Sequence, residues 1–444
     1  MASEQKPGQG EAPPRETAGA AAGSRAAITG RSNAPGGPGG SMSPRSTPPG
    51  APSTAAPPPE PGLPRLALIA IAVVQSLALL ALYRAQEADA WPSESPVWSY
   101  LLWTLVIAVP LMLLLALERG SARRLAGPML AFAGLLAGLA AYVGFQATPY
   151  EAFPSHDLQQ IYVISIGIAC FKALMYLQQW AGRQQVSYSA LFTHSWRNFL
   201  VLGLGALFVG AFYLVLQLWA SLFMLIGIDV FRELFRKDWF LFPVLGLAHG
   251  IGIDIFRNLT TVIDGITRLF RGLIMLLLPL ILLVAVVFLA TLPFVGLDAR
   301  WSTQLGTALL LWLLAFALFF VNAVYQDGRG EAPYPMAVHP LVWICLLDLP
   351  DVAGLALNGL SLRVGQHGWS VARCWGMLVW VVLTLYAVGY AVGVLRRKDD
   401  WTVTLARVNT GIGLLVLALT LLVNSPLLDF RKTAVHSQLL RVES

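Results

Sequence analysis

Long apolar runs alternate with short polar connections along this chain, and eleven of the runs approach the length of a membrane crossing. They occupy 66–83, 100–117, 127–145, 160–177, 198–226, 239–255, 272–292, 305–325, 341–360, 374–395 and 405–423. A helix needs about 20 residues, within a range near 17 to 25, to cross the hydrocarbon of a bilayer. Most of the runs qualify. Run 198–226 is longer and should tilt or project past the headgroups. Two fit less well: 239–255 is short and carries Pro243 and His249, and 341–360 carries Asp348, Pro350 and Asp351. The pattern predicts an all-α, polytopic transmembrane helix bundle of about 11 spans, or 10 if one weak run is re-entrant.

Two connections have a periodicity of their own. Ile255, Leu259, Val262, Ile263, Ile266, Leu269 and Phe270 recur at helical spacing, with Arg257, Asp264, Arg268 and Arg271 opposite. That is an amphipathic helix expected to lie on the membrane surface and to lead into the next span. Residues 229–239 are read the same way, on the other face.

Ahead of the first run, residues 1–62 hold 13 of the 28 prolines and 11 glycines. Such a segment buries too little apolar surface to offset its chain entropy. It reads as a disordered cytoplasmic tail, and proline-rich pieces such as Pro57-Pro58-Pro59 make it a candidate docking segment for a protein partner. The transmembrane domain then covers 63–428 and a short C-terminal tail 429–444.

Loop charge sets the expected sidedness, since Lys and Arg favour the cytoplasmic side. Arg65, Arg119, Arg123, Arg124, Arg183 and Arg197 mark alternate connections, while 84–97 and 146–159 are acidic or nearly free of basic residues. Two later basic groups, Arg257, Arg268 and Arg271, then Arg396, Arg397 and Lys398, fall on the same side only if both weak runs cross. The N-terminus is then cytoplasmic and the C-terminus outside. Arg232, Arg236 and Lys237 fall outside too, balanced by Asp229, Glu233 and Asp238.

One phrase occurs twice: Ile226-Gly227-Ile228-Asp229-Val230-Phe231-Arg232 returns as Ile251-Gly252-Ile253-Asp254-Ile255-Phe256-Arg257. The two copies flank the short central run. Each predicts a structural junction in which glycine bends the chain, aspartate caps the next helix and the arginine three residues on pairs with it.

Composition agrees with a bilayer as solvent. The chain is 56% hydrophobic and 12% charged, against about 25% charged in soluble domains. Its net charge of +6 is scattered between apolar runs, so it reports topology and not nucleic-acid binding. Arginine outnumbers lysine by 25 to 5, as in proteins from GC-rich bacterial genomes. Cys170, Cys345 and Cys374 sit in or beside apolar runs without metal or redox spacing, and read as buried small hydrophobes. Phosphate-loop, zinc-protease, nucleophile-elbow and zinc-cluster motifs are missing, and no cofactor or metal is expected. No connection exceeds about 20 residues, which leaves chemistry to residues inside the spans.

Those residues are few. Asp348 and Asp351 lie three apart, on one helical face, with Pro350 between them. A mid-membrane acid costs at least ~2.5 kcal/mol on insertion scales, and a helix broken at proline beside two carboxylates is a common carrier site. His249 falls in Gly246-Leu-Ala-His-Gly250, a spacing that brings helices close, and could relay protons or make one interhelical hydrogen bond. Lys172 lies some six residues inside its span and can snorkel or pair with an acid. The pairs Gly134/Gly138 and Gly389/Gly393 are read as packing positions, and Trp91, Trp98, Trp180, Trp301 and Trp401 as interfacial anchors.

Several phrases resemble the bacterial multi-pass membrane proteins catalogued as domain of unknown function 4153. They are Leu225-Ile226-Gly227-Ile228-Asp229 with Phe231 and Leu234-Phe235; Tyr325-Gln326-Asp327-Gly328 with Pro333-Tyr334-Pro335; Leu362-Arg363-Val364 with Gly368-Trp369-Ser370 and Arg373; and Asn424-Ser425-Pro426 with Ser437-Gln438-Leu439. The third is similar to the family's tyrosine-glycine-x-threonine-x-x-arginine pattern, with His367 in place of tyrosine and Ser370 in place of threonine. The resemblance spans about residue 60 to the C-terminus. It implies a bacterial inner-membrane protein, assigns no activity, and adds weight to the 367–373 loop. There Ser370 is placed to cap the following span and Arg373 to reach back to Asp348 or Asp351.

Three functional readings follow. A transporter would place its polar site at the broken helix, drawing on Asp348, Asp351, His249, Lys172 and Arg373. A sensor, assembly factor or envelope scaffold would act through tail and loops. An integral-membrane enzyme would process lipid-linked substrates.

Overall fold

The computed structural model describes residues 64–147, 155–295, 304–326, 333–335, 337–396 and 401–442. The expected N-terminal tail, Trp301, Arg397 and Lys398 lie outside them. All regular structure among the described residues is helical, in thirteen helices: α1 Arg65–Glu87, α2 Pro96–Ala116, α3 Ala122–Gln146, α4 Ser155–Ala181, α5 Tyr188–Leu225, α6 Val230–Leu234, α7 Asp238–Asn258, α8 Thr260–Val295, α9 Gln304–Tyr325, α10 His339–His367, α11 Val371–Arg396, α12 Trp401–Leu422 and α13 Phe430–Val442. Eleven are long and apolar enough to cross a membrane; α6 and α13 are not among them. The chain is a polytopic helical bundle.

The central weak run belongs to α7, a continuous helix long and apolar enough to cross a membrane. Helix α7 lies antiparallel to α1, tied to it at both ends, by Arg84–Asp238 at 3.0 Å and Arg65–Asp254 at 3.3 Å. Between these ion pairs Gly246 and Gly250 bring the backbones together: a Cβ on either would collide with Ser76 or Ala72 of α1. The short run is thus as long as its neighbour once its polar ends are counted.

The second weak run is α10, 29 residues long. It continues through Pro350 without interruption, so there is no broken helix there. Proline removes one backbone hydrogen bond, and packing of Leu346, Leu349, Val352 and Ala353 into the core holds the remaining turns.

The doubled phrase adopts two different structures. At the first copy Gly227, at φ +82°, turns the chain out of α5. Asp229 stands at the N-cap of α6 and pairs with Arg232 at 3.4 Å, but its side chain makes no capping hydrogen bond. The second copy is inside α7. Gly252 is helical there and abuts Phe208 of α5, Asp254 pairs with Arg65, and Arg257 ignores Asp254. Its guanidinium reaches the last carbonyls of α2 instead, at Leu114 (2.6 Å) and Leu117 (3.0 Å). Local sequence was the same; what differed was whether a neighbouring helix stood close enough to keep the copy helical.

Two smaller expectations change. The amphipathic stretch from 260 runs without a break into α8, a 36-residue helix, and buries Ile263 while Val262, Leu269 and Phe270 stay exposed. Trp91, Trp98 and Trp180 are exposed as interfacial anchors would be, whereas Trp401 is buried against Tyr325 with ring centroids 4.7 Å apart. Gly389 and Gly393 pack on Val408 and Thr404 of α12, but Gly134 and Gly138 face open space.

Two large cores divide the bundle. One is built on α1–α5 and α7, around Leu68, Leu114, Leu136, Leu174 and Ile253. The other is built on α8–α12, around Leu278, Leu314, Leu346 and Tyr390. They meet where α12 packs on α4 and α5, and α5 on α8. All three described cysteines are buried and free. Single cysteines replacing Arg236 and Arg268, in a chain lacking those three, should label from opposite sides of the membrane. Same-side labelling by an impermeant maleimide would show that α7 does not cross.

Candidate functional site

The seam between the two cores holds the densest set of polar side chains within the spans. Asn409, one-third of the way along α12, donates from Nδ2 to Tyr188 Oη of α5 (2.8 Å) and to Asn322 Oδ1 of α9 (2.5 Å). Tyr390 of α11 lies with its hydroxyl 2.6 Å from Asn322 Oδ1 and 2.5 Å from Asn409 Oδ1, and its one proton serves one of these oxygens at a time. Four helices are thereby joined through four side chains. In hydrocarbon such groups have no water to fall back on, so partners within the protein are required.

Beside this cluster is a cavity of about 410 Å³. Its polar wall is Lys172 and Tyr176 of α4, Tyr188, Ser195, Asn322, Tyr386 and Asn409. Gly413 of α12 lies in the wall close to both: a Cβ there would stand in ordinary contact, 3.9 Å from Lys172 Nζ and 3.8 Å from Tyr176 Oη. Among the described residues no carboxylate lines the cavity. Among the described residues none forms a hydrogen bond or ion pair with Lys172. Its opposite wall is aromatic. Trp196 sits against Phe192, Phe199 and Phe319, and the last two are 58% and 50% exposed on the outside of the bundle. The cavity therefore pairs a cationic, hydrogen-bonding interior with an aromatic rim that faces the lipid.

The sequence-derived candidates do not assemble into one site: among the described residues no hydrogen bond or ion pair joins any two of Asp348, Asp351, His249, Lys172 and Arg373. Lys172 alone lines the seam cavity. Asp348 is partly buried and Asp351 exposed on α10. His249 is partly buried on α7, one residue from the glycine that touches α1. Arg373 does not reach either aspartate. It donates to the carbonyls of His367 (3.2 Å) and Gly368 (2.7 Å) and so closes the C-terminal end of α10. Ser370 does cap α11, accepting from the Arg373 amide at 3.3 Å.

The loop at 367–373 has a partner the sequence did not suggest. Helix α13 lies on it, with Ser437 Oγ accepting from Trp369 N, and Gln438 Nε2 donating to the carbonyls of His367 and Trp369. Arg441 donates to Gly365 (2.5 Å) and Gln366 (2.8 Å). Gly368, at φ +70°, is required here, because a side chain would meet Ser437 and Arg441.

Sequence reasoning missed Tyr188, Asn322, Tyr390 and Asn409. Each was visible as a polar residue in or beside an apolar run, but only the fold brings four runs to one point. No protein-family model, no curated protein and no solved structure matches the chain.

Interhelical hydrogen bonds in membranes average about 0.6 kcal/mol and reach about 1.7 kcal/mol. Asn409→Leu removes two donated bonds and one of the two acceptors facing Tyr390, and should lower unfolding stability in detergent by about 1–3 kcal/mol, with Tyr390→Phe costing less. Unchanged melting of the Asn409 variant would show that the cluster does not hold the seam.

Proposed function

We propose that this chain is a transporter-like protein of a bacterial inner membrane, N-terminus cytoplasmic, that binds an anionic amphiphile in the seam cavity. It is further proposed to belong with the domain of unknown function 4153 proteins it resembles. One observation carries the functional reading: Lys172 lies within a spanning helix, faces a cavity and has no acidic partner among the described residues. A lysine at the centre of a span costs roughly 2.5–3.5 kcal/mol on insertion scales, and such residues are paired or serve a ligand pathway. Here the counter-charge is supplied by the ligand.

The rest of the cavity fits that class. Tyr176 and Tyr386 offer hydroxyls and Asn322 an amide toward a carboxylate or phosphate oxygen. The aromatic rim accepts the hydrocarbon part, and its exposure on the bundle surface allows entry from the bilayer. A position between two separately packed helical groups is one where their relative movement would alter access. The loop-charge pattern and the family resemblance support the membrane and the orientation.

Thermal stabilisation of the purified protein provides the test. Phosphatidylglycerol should raise the melting temperature more than phosphatidylcholine at equal concentration, and inorganic phosphate alone should not reproduce the gain. Lys172→Met should reduce the gain from phosphatidylglycerol, by an affinity loss of ~10-fold or about 1.4 kcal/mol, and leave the gain from phosphatidylcholine unchanged. A gain from phosphatidylglycerol that Lys172→Met leaves undiminished would overturn the reading; a gain from phosphate alone would point to a soluble anion as ligand.

A further inference from the structure

The Lys172 cavity has a counterpart at the other end of the same helices. A second cavity, of about 970 Å³, lies beneath α13, between it and α3, α4, α11 and α12. The end of α3 anchors this roof: Asp429 accepts from Gln146 Nε2 at 2.6 Å and Tyr142 Oη at 3.2 Å. Its carboxylate also accepts from the backbone amides of Arg431 and Lys432, so four donors already occupy the one acid in the wall. Arg431, Lys432 and His436 leave that wall basic. Burial lowers the pKa of Arg431, Tyr100 and Asp429 oppose the shift, and the guanidinium remains charged at neutral pH. The interior is apolar, with Trp375 edge-on to Phe430 at 5.6 Å. A basic wall around an apolar interior is the chemistry of the first cavity again.

The two cavities are stacked along three shared helices. From Tyr162 to Lys172 on α4 is ten residues, from Trp375 to Tyr386 on α11 eleven, and from Val423, in the turn that follows α12, back to Gly413 on α12 ten. At 1.5 Å per residue each interval is roughly 15 Å, about half of a hydrocarbon core of roughly 30 Å. Both α4 and α11 pack on α12. Between the cavities α4 shows exposed Ile164 and Ile168, and α11 exposed Val379. Polar atoms persist close by, where Asn424 Nδ2 donates to Ser165 Oγ at 2.8 Å.

We propose that the α13 cavity accepts the same anionic lipid as the Lys172 cavity, and that the two are the ends of one route along α4, α11 and α12. The headgroup passes from one basic site to the other while the acyl chains stay in the bilayer against the exposed isoleucines. This rests on the Lys172 cavity binding an anionic amphiphile, and adds the substrate class, a second site and movement between leaflets.

The test uses full-length protein in phosphatidylcholine vesicles with a trace of headgroup-accessible fluorescent phosphatidylglycerol or phosphatidylcholine, read by quenching of the outer leaflet with dithionite. Wild-type protein should move the phosphatidylglycerol probe at least ~10-fold faster than the phosphatidylcholine probe, equivalent to one decade of discrimination. Ala434→Trp, which fills the second cavity from α13, should cut that transfer at least ~10-fold while keeping the part of the phosphatidylglycerol melting gain that depends on Lys172. Val371→Trp fills it from α11 and decides the matter if the first variant does not fold. Transfer at the wild-type rate in a folded cavity-filling variant would overturn the route. So would wild-type protein stabilised by phosphatidylglycerol that transfers none. A phosphatidylglycerol-selective melting gain as large in Lys172→Met as in wild type would instead remove the reading on which the route rests.

Discussion

Asn409 ties the two halves of the bundle together at the polar point where they meet. Its amide nitrogen reaches α5 and α9, and its oxygen faces the Tyr390 hydroxyl of α11, so one side chain satisfies polar atoms from three neighbouring helices. In a bilayer the unsatisfied alternative is costly, and that cost fixes how the halves can meet. The cavity lies beside this polar meeting point, with Gly413 in its wall next to Lys172 and Tyr176.

Contacts elsewhere follow a second constraint, close backbone approach. Gly246 and Gly250 let α7 lie against α1, and the ion pairs at both ends keep the two in register. Arg257, only 6% exposed, then ties the same end of α7 to the C-terminal carbonyls of α2. Little of this energy is hydrophobic in origin, since lipid tails are as apolar as the side chains; fit and hydrogen bonding are what remain.

The bundle was legible in the sequence because spanning helices must be long and apolar, and 239–255 and 341–360 both lie in helices long and apolar enough to cross. Ser370 as a cap was legible because capping is local. The seam was not, since Tyr188, Asn322, Tyr390 and Asn409 come from four runs and no spacing rule connects them. Pro350 misled for a related reason: proline weakens a helix locally, but the surrounding core of α10 decides whether it breaks. The Gly-Ile-Asp repeat misled too, as Gly252 finds α5 beside it while Gly227 finds no such neighbour.

The account stands or falls on what neutralises Lys172. A photo-reactive phenylalanine analogue placed at Phe192, in the cavity wall, can capture whatever occupies it in native membranes, and mass spectrometry can identify the adduct. An acidic lipid should be recovered from the wild-type background and lost with Lys172→Met. Recovery of neutral or zwitterionic lipid alone, or the same acidic adduct without the lysine, would contradict the central claim.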